Sequence, residues 1–495
     1  MSLFQSRQGI GRGEVAESRM EVPFLAAFMG LCAVVLLLVH TYGENEGLTI
    51  ATAASMLVFG ATVVRVELGV SILVVSMLLS PEVDLGAEFS GERALNVRYD
   101  DLIIIVIFLG VLVKLAFEGR QQFWRPSPIN LGISLYVLVC AISTMLALRA
   151  NLPAWDRRTA LFVILKMIEF YMVFFLVGNA IRDLREVRRQ LALFFVVAMI
   201  VCAYCLVAMR TVQRVGTPFE AQGTEPNTLG GYLTVVMCLS VGLLTQAPTR
   251  GKKLLFLALT AGAFIPFLYT LSRASYIALL VGMMALGVAG RRLWVGAGVI
   301  AILLLSPLLM PEDVKDRVNY TFQRGSGEPV VIAGRETGFQ VDKSTHERFY
   351  VWRKVGFILH VAPWFGGGVA WETVLDSQYA RVIMETGLIG LAAFVFLQYR
   401  ILRTCREAYR WSRDWVARGL ALGATAATVG LITHSLGTIS FLIIRIMEPF
   451  WFLVALTVVV RLLAIEDLAR RRQAKQQAAP EEAPGDLRAA TVQAE

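Results

Sequence analysis

The sequence predicts an all-α fold, a polytopic integral membrane bundle of about 12–14 transmembrane helices. Composition is the first observation: 56% of the 495 residues are hydrophobic, 17% are charged, and the mean hydropathy is +0.62. A soluble chain of this length cannot bury that much apolar surface. The second observation is that apolar runs approaching the length of about 20 residues that crosses a bilayer recur along the chain. They lie near 23–40, 48–64, 68–80, 101–117, 129–148, 160–181, 190–209, 228–247, 253–271, 274–290, 293–309, 381–400, 416–436 and 440–462.

The order of these runs predicts five regions. A polar N-terminal segment covers 1–22, and the first part of the transmembrane bundle covers 23–309. A large loop covers 310–380, and the last part of the bundle covers 381–464. The tail, 465–495, is rich in Ala, Pro and acidic residues, so we expect it to be disordered.

Lys and Arg predict the orientation. If the spans alternate, the basic clusters at 181–190, 249–253, 290–294, 403–413 and 469–475 all lie on the side of the N-terminus. Because short basic loops stay in the cytoplasm, both termini are expected to be cytoplasmic. The long polar loops, including the large one, then lie on the outer side.

Several functional classes are disfavoured. The net charge of +9 follows from the basic inner loops, so it does not indicate a nucleic-acid partner. The cysteines lie mostly inside apolar runs and show no pattern of a disulfide framework or a zinc site. Asp100 or Asp101 is interpreted as the cap of the helix at 101–117. We expect no metal and no cofactor.

The large loop contains one predicted helix, in "STHERFYVWRKVGFILHVAP". Ser344 and Glu347 have the spacing of a capping box, and Pro363 follows the expected end. An apolar stripe is predicted at Phe349, Trp352, Val355 and Leu359.

Arginines on the outer side are the first functional candidates, because the positive-inside rule disfavours cations there. A planar guanidinium suits phosphate oxygens. The alternative is that each one reaches lipid headgroups or pairs with an acid such as Glu347 or Glu385. Arg445 stands three residues before Glu448, a spacing that predicts an ion pair. The outer arginines are Arg210, Arg214, Arg273, Arg348, Arg353 and Arg381.

Four segments carry a family resemblance. They are "GTEPNTLGGYL" (223–233), "LSRASYIALL" (271–280), "ERFYVWRKVGFILHVAPWFGGGVAW" (347–371) and "DSQYARVIMETGLIGL" (376–391). In this order the segments resemble the O-antigen ligase and O-antigen polymerase family of polytopic membrane glycosyltransferases. The resemblance covers about 210–395, and the spans before it match only as generic apolar helices.

The resemblance implies a metal-independent, inverting glycosyl transfer on the periplasmic face of the bacterial inner membrane. The implied donor is an undecaprenyl-pyrophosphate-linked oligosaccharide or polysaccharide. A polymerase uses another lipid-linked repeat unit as acceptor and builds exopolysaccharide, capsule or O-antigen, whereas a ligase uses lipid A-core. Membrane lipids, a flippase and a chain-length regulator are the other expected partners.

The resemblance also implies site residues. Arg273 and Arg348 match the family's catalytic arginines, which stabilise the departing pyrophosphate. Asp376 stands where family ligases have a histidine, which favours a polymerase; it is either the base or a helix cap. Glycine amides near 365–368 are expected to cradle an anion, or else only to form a turn. The substrate-binding candidates are Arg214, Asn227, Arg353, Trp352, Gly366, Gly368, Ser377, Gln378, Tyr379 and Glu385.

Two alternatives stay open. His434 lies near the outer end of the penultimate span and is a further candidate, while His346 is interpreted as a solvated side chain. A transporter or flippase also fits the number of spans. The sequence shows no inverted repeat or broken helix of the kind that transporters use.

Overall fold

The protein is a multi-pass membrane protein built as a bundle of apolar helices. The computed structural model describes residues 46–81, 98–117, 125–150, 157–212, 214–218, 225–292, 294–298, 328–332, 335–341, 343–371 and 377–478, and over 328–350 it describes the backbone alone. The first helices are α1 (Glu46–Val64), α2 (Val66–Leu79), α3 (Tyr99–Phe117), α4 (Asn130–Ala150), α5 (Arg157–Ala180) and α6 (Leu184–Ala208). The later ones are α7 (Pro226–Gln246), α8 (Arg250–Leu268), α9 (Arg273–Gly290), α10 (Lys343–Val361), α11 (Gln378–Trp411), α12 (Trp415–His434) and α13 (Ile444–Ala478). Strands β1 (Glu328–Ile332) and β2 (Arg335–Val341) pair antiparallel.

Eight helices of the described part are long and apolar enough to cross a membrane, namely α4 to α9, α11 and α12. The predicted all-α membrane bundle is therefore confirmed. Helices α1 and α2 are shorter apolar helices. Of the predicted runs, 23–40 and most of 293–309 lie outside the described residues, and each of the others coincides with a helix.

Side-chain caps fix where several helices begin. Asp183 Oδ1 accepts hydrogen bonds from the amides of Arg185 and Glu186 at 2.8 Å, which starts α6. Asp414 caps α12 in the same way. Both residues satisfy amides that have no partner within the helix.

Two helices are longer than the hydropathy predicts. Helix α11 continues to Trp411, and α13 continues to Ala478, so the expectation of disorder is wrong for 465–478. The extensions carry charged pairs one turn apart, such as Arg471 with Asp467 at 2.8 Å. Such pairs stabilise a helix in water, where hydropathy gives no signal.

The predicted helix of the large loop is confirmed as α10, and its apolar stripe is correct in part. Val355 and Leu359 pack against α11, whereas Trp352 is 46% exposed and does not belong to the buried side. The true contact joins α10 to α11 through a small core formed by Val351, Val355, Ile358, Ala380, Ile383 and Met384.

Helix α11 is broken at Gly387, which has φ 66° and ψ −162°. Segment 363–371 packs into the break, where the Leu388 amide donates to the Pro363 carbonyl oxygen at 2.8 Å. A Cβ at position 387 would lie 2.6 Å from the Phe365 nitrogen. Irregular backbone within a membrane protein persists where other backbone supplies its hydrogen bonds. This break was not predicted.

The helix ends form two different surfaces. At one end, the α6 and α12 starts are joined by an ion pair of 2.5 Å between Arg188 and Asp414. We call this the basic end, because the basic clusters lie there. At the other end, the amide of Gln378, which begins α11, donates to the Ser435 carbonyl oxygen just after α12. We call this the polar end.

Glycines let α7, α9 and α12 touch backbone to backbone. A Cβ at Gly242 of α7 would lie 2.5 Å from both the Gly419 oxygen and the Gly423 nitrogen of α12. A Cβ at Gly282 of α9 would lie 2.8 Å from the Ala426 oxygen. Small residues allow such close approach between membrane helices. These three helices therefore form the tightly packed centre of the bundle.

We predict that Gly242→Ala destabilises the protein by about 1–3 kcal/mol, because the new methyl group overlaps the α12 backbone. Gly178→Ala is the matched control, since nothing lies within 4 Å of a Cβ there. Thermal unfolding in detergent, followed by tryptophan fluorescence, should show a lower midpoint for the first variant only. Equal midpoints would contradict the close approach.

Candidate functional site

A chain of polar side chains joins α7, α9 and α12 at the polar end. Ser272 Oγ donates to Asn227 Oδ1 at 2.8 Å. Ser275 Oγ donates to Ser272 Oγ, also at 2.8 Å. Ser275 Oγ in turn lies 2.9 Å from His434 Nε2. We call these four residues the polar chain.

The other nitrogen of the His434 ring also meets hydroxyl groups. His434 Nδ1 lies 2.7 Å from Ser440 Oγ and 3.0 Å from Thr438 Oγ1. The start of α11 supports this turn, because the Gln378 amide donates to the Thr438 carbonyl oxygen at 3.1 Å. Gln378 Oε1 also accepts from the Phe441 amide at 3.2 Å. The ring is thus held from both sides.

Local sequence explains how the polar chain forms. Ser272 caps α9, and its Oγ accepts from the Ser275 amide at 3.3 Å. Two glycines of α7 leave space for the side chains of Ser275 and His434. A Cβ at Gly230 would lie 2.8 Å from Ser275 Cβ, and one at Gly231 would lie 3.2 Å from His434 Cε1. The "LGG" stretch therefore permits the hydrogen bonds.

Burial changes along the polar chain. Ser275 and His434 are completely buried, and Ser272 is nearly so. Asn227 is partly exposed. The polar chain therefore leads from the packed centre of the bundle to its polar surface.

Two of the predicted arginines lie at the same turn as the polar chain. Arg214 Nε donates to the Thr270 carbonyl oxygen at 3.3 Å. Arg273 is the first residue of α9, and both arginines are partly exposed. Between them, Leu271 has φ 51°, a left-handed conformation that costs a non-glycine residue about 1–2 kcal/mol. The surrounding contacts hold this strained turn.

The structure thus brings together the predicted residues Arg214, Asn227 and Arg273. Ser377 and Gln378 lie at the His434 end of the polar chain instead, because the Gln378 amide donates to the carbonyl oxygens of Ser435 and Thr438. Ser377 is buried, and its hydroxyl has no hydrogen-bond partner among the described residues.

The residues of the large loop that were predicted to bind substrate do not join the polar chain in the described part of the structure. Trp352 and Arg353 are exposed on the side of α10 that faces away from α11. Arg348 belongs to α10, but its side chain lies outside the described part. Asp376 also lies outside it. The N-cap position of α11 is Ser377, whose side chain makes no cap hydrogen bond. The interpretation of Asp376 as a cap stays a prediction.

The expected anion cradle at the glycines is also wrong. The Gly366 amide donates to the Ala362 carbonyl oxygen at 3.0 Å, and the Gly368 amide donates to the Glu385 carbonyl oxygen at 2.9 Å. Both glycines have positive φ, 65° and 97°. Their conformational freedom is needed to dock segment 363–371 on α11, so their N–H groups are used by the fold.

Glu385 has a structural contact where substrate binding was expected. It lies buried beside Arg381, with Nε and Oε1 2.8 Å apart, and it accepts from the Ala370 amide at 2.9 Å. Tyr379, another predicted binding residue, donates its hydroxyl to the Ile432 carbonyl oxygen at 2.7 Å. These contacts join α11 to its neighbours.

A second polar centre lies at the same end, between α2, α3, α5 and α13. Arg98 Nη2 lies 2.7 Å from Asp100 Oδ2, and the Arg98 amide donates to Asp101 Oδ2 at 2.9 Å. Asp101 lies within the first turn of α3, which begins at Tyr99, so the predicted N-cap position is wrong, although its carboxylate does accept from the amide of the residue before the helix. Lys166 Nζ contacts the same Asp101 oxygen. With Glu448, which is completely buried, these residues form what we call the charged cluster.

The ion pair predicted between Arg445 and Glu448 is wrong. Arg445 Nη1 donates to the carbonyl oxygens of Leu78 and Pro218, at the ends of neighbouring segments. The Glu448 oxygens accept no hydrogen bond from the described residues. Within this part of the chain, no group of three or more His, Cys, Asp or Glu could hold a metal ion.

Sequence reasoning missed Ser275, Ser440 and Lys166. The signal for Ser440 was the polar stretch "THSLGTIS" between two apolar spans, and Ser275 lies in the segment "LSRASYIALL". The signal for Lys166 was its spacing of three residues from Glu169, with which it pairs at 3.2 Å. Ionisable groups inside a span are functional or structural sites by default.

No protein-family model matches this chain, and no curated protein matches it in sequence.

We predict that Glu385→Ala and Arg381→Ala each destabilise the fold by about 3–5 kcal/mol, because each leaves a buried charge without its partner. The double variant Arg381→Met/Glu385→Leu should recover much of this loss. Melting temperatures of the three variants measure the coupling. A normal melting temperature for Glu385→Ala would contradict the structural role.

Proposed function

We propose that this protein is a polysaccharide polymerase of the bacterial inner membrane. It transfers an undecaprenyl-pyrophosphate-linked glycan to a sugar hydroxyl of another lipid-linked repeat unit. The observation that carries the proposal is the convergence of Arg214, Arg273 and Asn227 at one turn, where the apolar bundle ends. The four family-like segments support the same assignment.

The chemistry explains why cations belong there. The acceptor oxygen attacks the anomeric carbon, the bond from that carbon to the diphosphate oxygen breaks, and negative charge develops on the leaving diphosphate. Two fixed guanidinium groups stabilise that charge as it forms. Their planar forks also suit the geometry of phosphate oxygens. The proton of the acceptor hydroxyl passes to a base, for which Asp376 stays our prediction.

The location fits a lipid-linked donor. The polyprenyl chain of such a donor lies in the bilayer, and its diphosphate lies at the membrane surface. Arg214 and Arg273 are partly exposed at the end of apolar helices, which is the depth such a diphosphate reaches. A soluble sugar nucleotide would not need a site at this depth.

The orientation follows from the basic end. By the positive-inside rule, its basic clusters support an orientation in which that end, with both termini, is cytoplasmic. The polar end then faces the periplasm, where lipid-linked repeat units are polymerised. The large loop lies on the same side.

A second candidate function is ion-coupled transport. The charged cluster favours it, because buried ionisable groups within a membrane protein often mark ion or proton pathways. The broken helix at Gly387 favours it as well, since transporters bind their substrates at such breaks. Flux of a lipid-linked glycan across proteoliposomes, without any polymer formed, would support this alternative.

We predict that Arg273→Ala and Arg214→Ala each lower polymer formation by about 100-fold or more, the usual effect of removing one preorganised donor to developing charge. Lysine at either position should rescue poorly, because the fork geometry is lost. Polymer formed by purified protein from lipid-linked repeat units is the measurement.

Arg470→Ala, at the exposed end of α13, is the control and should keep normal activity. All proteins should be compared at equal amounts in the membrane. Full-length polymer from either Arg273→Ala or Arg214→Ala would refute the proposed diphosphate site.

A further inference from the structure

The polar chain has a direction. A serine hydroxyl carries one proton, which it can donate once. Ser272 Oγ uses its proton on Asn227 Oδ1, so the bond between the two serines must be donated by Ser275 Oγ. The Ser275 proton is then used as well. The contact of 2.9 Å between Ser275 Oγ and His434 Nε2 therefore requires a proton on Nε2.

The opposite side of the ring is consistent with this direction. His434 Nδ1 lies within hydrogen-bond distance of two hydroxyl groups, Ser440 at 2.7 Å and Thr438 at 3.0 Å. Either hydroxyl can donate to a bare Nδ1. The ring is completely buried, and burial favours the neutral form of an imidazole. A neutral ring with its proton on Nε2 satisfies every contact.

The hydrogen bond from Ser272 to Asn227 also shows how the Asn227 amide is turned. Its Oδ1 is occupied by Ser272, so its two N–H donors point away from the polar chain. Asn227 is partly exposed and lies at the turn that holds Arg214 and Arg273. Its N–H groups are therefore available to an anionic oxygen bound between the two arginines.

We propose that His434 is a positioning residue, which as the neutral Nε2–H tautomer sets the polar chain and turns the Asn227 amide donors toward the diphosphate of the substrate. The identity of that ligand rests on the proposed function. The benefit is preorganisation: a donor already aimed at the developing charge need not reorient during the reaction. Without the chain, the amide of Asn227 can rotate and present its oxygen to the anion instead.

The tautomer of His434 can be determined without any substrate. The full chain, labelled with ¹⁵N-histidine, is reconstituted in lipid bilayers and examined by solid-state NMR. The chain has four histidines, so the spectrum of His434→Gln identifies the His434 signals by difference. We expect a neutral ring with the proton on Nε2. A proton on Nδ1, or an imidazolium, would overturn the proposed direction.

The role of Asn227 is tested by binding of undecaprenyl diphosphate to the purified protein. Ser275→Ala and His434→Leu both cut the polar chain, and each should raise the Kd by about tenfold, the effect of losing one aligned hydrogen bond to a charged group. His434→Gln keeps an N–H donor near the Nε2 position and should stay within about threefold of the wild type. Asn227→Asp, which places a carboxylate beside the anion, should bind worst.

Rescue by glutamine separates positioning from packing, because Leu and Gln fill the site about equally. Equal Kd values for His434→Leu and the wild type would overturn the proposal, as would a loss in His434→Gln equal to that in His434→Leu. If the wild type itself does not bind undecaprenyl diphosphate, the proposed function and the substrate-facing role of Asn227 both fail. The NMR spectra decide the direction of the polar chain independently of that result.

Discussion

The close approach of α7, α9 and α12 is the constraint on which the functional end depends. Hydrogen bonds such as the 2.9 Å contact between Ser275 and His434 cannot form between helices held apart by larger side chains. Glycines at positions 230, 231 and 242 remove that separation. Packing through small residues, which membrane helices use in place of a hydrophobic driving force, therefore also builds the polar chain. The same contacts hold the strained turn at Leu271.

The polar end contains two polar centres that share one connecting segment. Segment 214–218 contacts the turn just before the polar chain, where Arg214 donates to the Thr270 carbonyl oxygen. The same segment contacts the Arg445 guanidinium through the Pro218 carbonyl oxygen. Buried polar groups inside a membrane bundle must be satisfied by one another, since lipid offers no partners. The arrangement makes the polar end rigid while Arg214 and Arg273 stay partly exposed. Such rigidity is what electrostatic stabilisation of a leaving group requires.

Much of the fold was predictable because spans are set by length and hydropathy, which the sequence contains directly. The convergence of Asn227 and Arg273 was also expected, from the order of the family-like segments. The pairing of Glu385 with Arg381, one turn away, was one of the alternatives that the sequence offered. The long-range partners were not predictable, since His434 meets a serine 159 residues earlier in the chain. Contacts of that separation depend on helix packing, which hydropathy does not specify.

The proposed polymerisation of lipid-linked repeat units at the polar end is tested by analysing the lipid-linked glycan of a strain that lacks this protein. Our account predicts that single repeat units accumulate on the undecaprenyl carrier and that the long polymer is lost. Full-length chains left on the carrier would indicate a ligase instead. An unchanged glycan profile would contradict the account.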